Sequence, residues 1–101
     1  MASIFEFSPG DCCAKVPDIR VRPVPEMEIC FVFTPKNPQV FTLNTTAWLS
    51  LELCDGSSLR RIERVFLAAI GASMSRDEAR QALRNTLRYL EEKGIVSITR
   101  A

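Results

Sequence analysis

The sequence contains no histidine, the side chain that most often serves as a general base or a metal ligand near neutral pH. It has four glycines, and they form no glycine-rich phosphate-binding loop. No apolar run approaches the roughly 18 residues of a membrane span, and residues 1–7 lack the pattern of a signal peptide. The sequence therefore favours neither an acid–base enzyme nor a membrane protein, and we expect a cytoplasmic location.

The four cysteines, Cys12, Cys13, Cys30 and Cys54, form no C-x-x-C pair and match no zinc-binding spacing. We interpret them as reduced thiols, with Cys30 and Cys54 in the core, since free cysteine is usually buried. A metal or redox role is the less favoured alternative. We expect no cofactor, no bound metal and no catalytic residue.

The overall composition is ordinary for a small globular protein. The chain has 101 residues, of which 47% are hydrophobic and 25% charged. A chain of this length is expected to form one domain around one core. Because the net charge is only +1, any electrostatic function must come from local segregation of charge.

The first half of the chain predicts a small antiparallel sheet. Residues 1–17 show no sustained period and are predicted to be an irregular or partly mobile N-terminal arm, which leaves residues 18–101 as the domain. Residues 19–22 alternate apolar and polar, residues 28–34 are apolar on both faces, and residues 39–43 favour a short third strand. Short links between these strands predict a meander.

Capping residues mark two helices after the sheet. Asn44 occupies the position of an N-cap, and Gly56 can end the helix that follows it. Trp48 lies in this first helix and is expected to pack in the core. The second helix is predicted to begin after Ser57 or Ser58 and to stop at Gly71.

The last helix has the clearest boundaries. Ser75 and Glu78 form a capping box, and Gly94 is placed to end the helix with Ile95 against Leu90. A closing strand is predicted at residues 95–99. The fold class is therefore α+β: a three-stranded antiparallel sheet followed by three helices, winged helix-turn-helix-like.

Two features could carry a function. The arginines Arg76, Arg80, Arg84 and Arg88 recur every four residues on the last helix, so they share one side of it. This stripe is either a solvated face or a cationic surface for an acidic partner. The third strand, residues 40–43, carries no charge, so its edge either accepts an added strand or is covered by the arm or the closing strand.

Four short motifs occur in a fixed order: Leu43-Asn44, Ala47-Trp48, Asp55-Gly56, and a Leu-x-x-x-Gly-Ile-Val ending at residues 90–96. In this order and spacing the chain resembles the PqqD-like family, which are peptide-recognition elements of ribosomal-peptide (RiPP) modification pathways. The resemblance covers roughly residues 18–98. Pro23 and Pro25 depart from the family pattern in the first strand.

The resemblance implies a non-catalytic peptide chaperone. Such a domain binds the leader of a precursor peptide as an added strand between the third strand and the last helix, and presents it to a modifying enzyme, often a radical SAM protein. The resemblance places the peptide-binding residues at Val40, Phe41, Thr42, Leu43, Gln81, Arg84, Asn85 and Arg88. We expect no membrane partner and a monomer or weak dimer, and the net charge of +1 disfavours a nucleic-acid partner.

Two alternatives remain at this stage. A winged-helix DNA-binding regulator would use Arg60, Arg61 and Arg64 with the arginine stripe for phosphate contacts, although the net charge disfavours it. A structural subunit of a larger enzyme would require a partner chain. The peptide class, the modifying enzyme and the roles of Cys12 and Cys13 do not follow from the sequence.

Overall fold

The computed structural model describes residues 7–100, apart from the side chain of Ala72. The strands are β1 (Cys12–Lys15), β2 (Arg20–Val24), β3 (Ile29–Thr34), β4 (Gln39–Asn44), β5 (Asp55–Ser58) and β6 (Val96–Thr99). The helices are α1 (Thr45–Glu52), α2 (Leu59–Ile70) and α3 (Arg76–Glu92). Single 3₁₀ turns occur at Pro25–Met27 and Gly71–Ser73.

The strands form two antiparallel sheets of three strands each. The order in one sheet is β2-β3-β4, which confirms the predicted meander, with β3 in the centre. The order in the other is β5-β1-β6, so the predicted closing strand pairs with β1. Together with the three helices, the two sheets confirm the α+β class and add a sheet that the sequence did not predict.

The second sheet corrects the expectation of an irregular N-terminal segment. Cys12–Lys15 is the central strand of this sheet, with Cys13 opposite Ile98 and Cys12 opposite both Thr99 and Ser58. The segment Cys-Cys-Ala-Lys shows no alternation, and its strand conformation depends on partners distant in sequence. The prediction is therefore wrong for these four residues. Residues 1–6 of the predicted arm lie outside the described residues.

The end of α1 is a second correction. Asn44 caps the helix as predicted, since its Oδ1 accepts a hydrogen bond from the Ala47 N–H at 2.8 Å. The helix stops at Glu52, however, and Gly56 lies within β5 at φ 93° instead of ending the helix. The Cys54 carbonyl accepts a bond from the Lys15 N–H at 3.2 Å, so pairing with β1 draws the chain away from the helix early.

The boundaries of α2 and α3 agree with the sequence. Ser58 caps α2, which ends at Gly71 with φ 62°. Ser75 Oγ accepts a bond from the Glu78 N–H at 3.2 Å, which starts α3. After α3 the Ile95 N–H donates to the Leu90 carbonyl at 2.9 Å, and Gly94 has φ 74°, as a Schellman ending requires.

One apolar core joins both sheets to the three helices. Val32 and Leu43 come from the first sheet, Cys13 and Val96 from the second, and Phe66 from α2, and all are at most 2% exposed. Trp48 packs against this core while remaining partly exposed, and its Nε1 donates to Glu52. Within residues 7–100, no helix is both long and apolar enough to span a bilayer.

Candidate functional site

The edge of β4 is the first component of the candidate site. β4 pairs with β3 along its whole length. Asn44 lies opposite Ile29 at one end, and Gln39 lies opposite Thr34 at the other. Within residues 7–100 no strand pairs with its other side. A strand edge of this kind leaves backbone donors and acceptors available to an added strand.

The turn between β3 and β4 determines which groups of β4 point outward. Thr34 pairs with Gln39 across the turn, and the residue after Thr34 is Pro35, which has no N–H. In an antiparallel ladder, two opposite residues either bond to each other or are flanked by bonds between their neighbours. The second pattern would need an N–H at residue 35, which Pro35 lacks, so the backbone groups of Thr34 and Gln39 bond to each other. Because bonded and non-bonded pairs alternate along an antiparallel ladder, the backbone N–H and C=O groups of Phe41 and Leu43 also point toward β3.

The N–H and C=O groups of Val40 and Thr42 consequently point toward the open side. Pro23 supports the same assignment independently. It lies opposite Cys30 on β2, and a proline is tolerated in an edge strand where its nitrogen faces away from the neighbour. The backbone groups of Cys30 then bond to its partner Leu43 on β4, in agreement with the pattern that starts at Thr34 and Gln39.

A groove lies between β4, the start of α1, and α3, and is the second component. It encloses about 270 Å³. Its lining consists of Thr42, Leu43, Asn44, Ala47, Asn85, Thr86 and Tyr89. None of these side chains is charged, so the groove favours uncharged polar and apolar side chains. The strand edge and the groove will be called the β4 groove.

Contacts on α3 hold the far side of the β4 groove in place. Gln81 donates its side-chain amide to Asn85 Oδ1 at 2.9 Å, one turn apart on the helix. Tyr89 contacts the ring of Phe41 edge to face, and the Lys93 ammonium lies 5.7 Å from the centroid of the tyrosine ring. The helix therefore presents an amide and an aromatic ring toward β4.

Of the eight residues expected from the resemblance, the structure brings Thr42, Leu43 and Asn85 to the groove lining, with Phe41 next to it through Tyr89. Val40 is 65% exposed at the strand edge. Gln81 reaches the groove through its bond to Asn85.

The arginine stripe lies largely on another side of α3. Arg80 forms an ion pair with Glu63 of α2. Arg84 lines a small cavity that also includes Phe7 and Leu59. Arg88 is half-buried, one turn after Arg84 and three residues after Asn85. The stripe therefore mainly faces α2, while Asn85 and Tyr89 face β4.

Four lining residues were missed by the sequence analysis: Asn44, Ala47, Thr86 and Tyr89. The sequence motifs indicate only a helix cap at Asn44 and the helix start at Ala47. Asn85 and Tyr89 are four residues apart on α3, as are Ala82 and Thr86, so an uncharged surface of the helix was visible in the sequence.

Two of the buried thiols, Cys13 and Cys54, lie in contact with each other, and neither lines the β4 groove. Cys30 and Cys54 are buried, as expected, and Cys13 Sγ lies 3.2 Å from Cys54 Sγ. Cys54 donates to the Ser50 carbonyl at 3.2 Å, and hydrogen bonding with Cys13 together with burial raises the pKa of Cys54 well above its usual range. Within residues 7–100, no three histidine, cysteine, aspartate or glutamate side chains come together to hold a metal ion.

Comparison with known proteins shows a similarity of fold. No family model matches the sequence, and no curated protein matches it. Among solved structures, the chain is similar to the solution NMR structure of the PqqD truncation of Methylobacterium extorquens PqqCD, described as a functional and stand-alone RiPP recognition element. The TM-score is 0.69 at 18% identity, over 92% of this chain and 96% of that one. The chain therefore has the PqqD-like fold, as the sequence motifs implied.

Proposed function

We propose that this protein is a non-catalytic recognition domain that binds the leader of a ribosomally made precursor peptide as a strand added to β4. The observation that carries the proposal is the outward direction of the Val40 and Thr42 backbone groups beside an uncharged groove. The fold shared with a RiPP recognition element supports it.

Strand addition accounts for affinity without requiring a particular leader sequence. Val40 and Thr42 each offer one N–H and one C=O to an added strand, and a net hydrogen bond contributes about 0.5–1.5 kcal/mol. Side chains of an added strand alternate between its two faces. Every second side chain of the leader would then enter the β4 groove beside Asn85 and Tyr89.

The chemistry of the groove defines the leader segment that fits it. Its lining is uncharged, so a leader carboxylate placed inside would lose hydration without meeting a cation among the lining residues. Apolar or uncharged polar side chains fit there. Arg88, one turn from Asn85 on α3, and Arg84, one turn earlier, belong to the proposal as partners for acidic leader residues outside the groove.

The domain would act by delivering a bound precursor peptide to a modifying enzyme. Its proposed partners are a precursor peptide and the enzyme that modifies it, with a radical SAM enzyme as the expected class. In this role the chain itself performs no chemistry on the peptide. The purified protein should therefore leave a precursor peptide unmodified, whereas the modifying enzyme should act faster when the domain is present.

The direct test is titration of the ¹⁵N-labelled protein with the leader of the small precursor gene nearest to its own gene. Amide shifts should change at residues 39–44 and on the Asn85–Tyr89 side of α3. A leader with its residues scrambled is the matched control. Shift changes confined to α2, or equal binding of both peptides, would contradict recognition in the β4 groove.

A further inference from the structure

A second cleft lies between α2 and α3, on the side of α3 to which Arg80 points. It encloses about 700 Å³. Its lining consists of Pro9, Arg60, Glu63, Arg64, Leu67, Ala68, Gly71, Met74, Arg76, Ala79 and Arg80. No residue of this arginine cleft belongs to the lining of the β4 groove.

The charge of the arginine cleft is strongly positive for a protein whose net charge is +1. Four arginines line it against one glutamate, and that glutamate, Glu63, pairs with Arg80. Among the described residues, Arg60, Arg64 and Arg76 have no ion pair. Three exposed guanidinium groups therefore surround one cavity, and such groups bind carboxylates with two parallel hydrogen bonds.

The floor of the arginine cleft is apolar. Leu67 and Met74 are half-buried there, and Ala68 and Ala79 complete the surface between the helices. A ligand that fills the cleft must therefore bring apolar groups as well as negative charge. A nucleic-acid backbone supplies phosphates without an apolar side chain, whereas an amphipathic acidic peptide supplies both.

We propose that the arginine cleft docks an acidic segment of a partner protein, with aspartates or glutamates on one face and a leucine-like side chain on the other. The carboxylates contact Arg60, Arg64 and Arg76, and the apolar side chain covers Leu67 and Met74. This inference does not depend on the proposed function of the β4 groove. Because the two sites share no lining residue, both can be occupied at once.

The probe for the test is a fluorescein-labelled helical peptide with glutamates on one face and leucines on the other. A second peptide keeps the glutamates and replaces every leucine with serine. A short DNA duplex serves as the nucleic-acid probe. Binding of each to the full-length protein is measured by fluorescence anisotropy.

Two matched pairs of variants locate the binding. Arg60→Glu with Arg64→Glu reverses two charges in the cleft, and Arg20→Glu with Arg22→Glu makes the same change on exposed β2. Ala68→Asp places a carboxylate on the cleft floor, and Ala69→Asp places one on the neighbouring exposed residue outside the lining. Thermal melting verifies that each variant is folded, and the alanine pair avoids any loss of an arginine contact.

The cleft variants should weaken binding of the leucine peptide about tenfold, while the β2 variant and Ala69→Asp change it by less than about threefold. The serine peptide should bind the unaltered protein more weakly than the leucine peptide. Equal effects of Ala68→Asp and Ala69→Asp, equal binding of both peptides, or tighter binding of DNA than of the leucine peptide would each overturn the proposal.

Discussion

The ring of Phe41 on β4 meets the ring of Tyr89 on α3 edge to face, with centroids 6.4 Å apart and an angle of 88° between the planes. This contact joins the open edge of the first sheet to the last helix. Tyr89 remains 38% exposed, so the pair also forms part of the β4 groove. Its aromatic surface is available to a bound peptide.

Replacement of Tyr89 by alanine should weaken leader binding more than it weakens the fold. An edge-to-face pair contributes about 0.5–1.5 kcal/mol beyond its buried area. The bound leader would also lose its contact with the tyrosine ring. Tyr89→Phe keeps the ring and should retain most of the affinity. Calorimetric titration with the leader and thermal melting measure the two effects.

Phe33→Ala supplies the control for the Tyr89 experiment. Phe33 is also an exposed aromatic residue, at 36%, but it does not line the groove. Its removal should leave leader affinity unchanged within about twofold, a difference of roughly 0.4 kcal/mol. If Phe33→Ala and Tyr89→Ala reduce affinity equally, the aromatic contact in the groove has no special role.

Ester substitution along β4 should produce an alternating pattern. Removal of the Val40 or Thr42 N–H should reduce leader affinity by about 0.5–1.5 kcal/mol with little change in melting temperature. The same substitution at Phe41 or Leu43 should lower the free energy of unfolding instead, because these groups bond to β3. Semisynthetic proteins, titrated and melted in parallel, provide both measurements. Four positions that behave alike would rule out a strand added to β4.

Charge reversal at Arg84 and Arg88 tests the proposed acidic contacts of the leader. Exposed ion pairs contribute about 0.2–1 kcal/mol each, so the double change to glutamate should weaken leader binding severalfold, and more at low salt. The Arg60→Glu and Arg64→Glu double variant is the control, since those residues line the other cleft. If the Arg84 and Arg88 double variant binds the leader as tightly as the unaltered protein at every salt concentration, the two arginines have a purely structural role.

Two of the buried thiols, Cys30 and Cys54, should make the protein less stable in alkaline solution. Burial raises the pKa of Cys30, and hydrogen bonding with Cys13 and burial raise the pKa of Cys54, whereas the hydrogen bond with Cys54 lowers the pKa of Cys13. In the unfolded chain Cys30 and Cys54 lose their protons near the ordinary value of about 8.5. The contribution of these two thiols to the free energy of unfolding is therefore complete below that pH. It decreases as the pH rises above it, by up to about 1.4 kcal/mol per pH unit for each thiol.

Urea unfolding between neutral pH and about pH 10 measures this dependence. Cys54→Ala should be less stable at neutral pH because it leaves a cavity, but its stability should fall less steeply with pH. Identical slopes for the variant and the unaltered protein would show that Cys54 does not titrate on unfolding in this range.

Gly94→Ala should destabilise the protein by about 1–2 kcal/mol through the backbone alone. Gly94 has φ 74°, and an added Cβ would meet no atom within 4 Å, so no clash contributes. Gly94→Asn should cost less, because asparagine tolerates the left-handed conformation better. Chemical denaturation gives both values, and equal losses for the two variants would point to a cause other than backbone strain.

The sequence determined the local features of this fold. Asn44, Ser58 and Ser75 start the helices because their side chains bond to backbone groups within one turn. Gly94 ends α3 because it reaches the left-handed region without strain. The β2-β3-β4 meander follows from the short links between consecutive strands. The helix caps and the end of α3 depend on contacts within a few residues.

Tertiary structure decided the features that depend on distant partners. Cys12–Lys15 becomes a strand only because β5 and β6 pair with it, and Gly56 joins β5 for the same reason. The direction of the arginine stripe depends on how α3 packs against α2, since helical spacing fixes which residues share a side but not what that side faces. The outward groups of β4 likewise required the register with β3, because parity along a strand has no meaning until its partner is known.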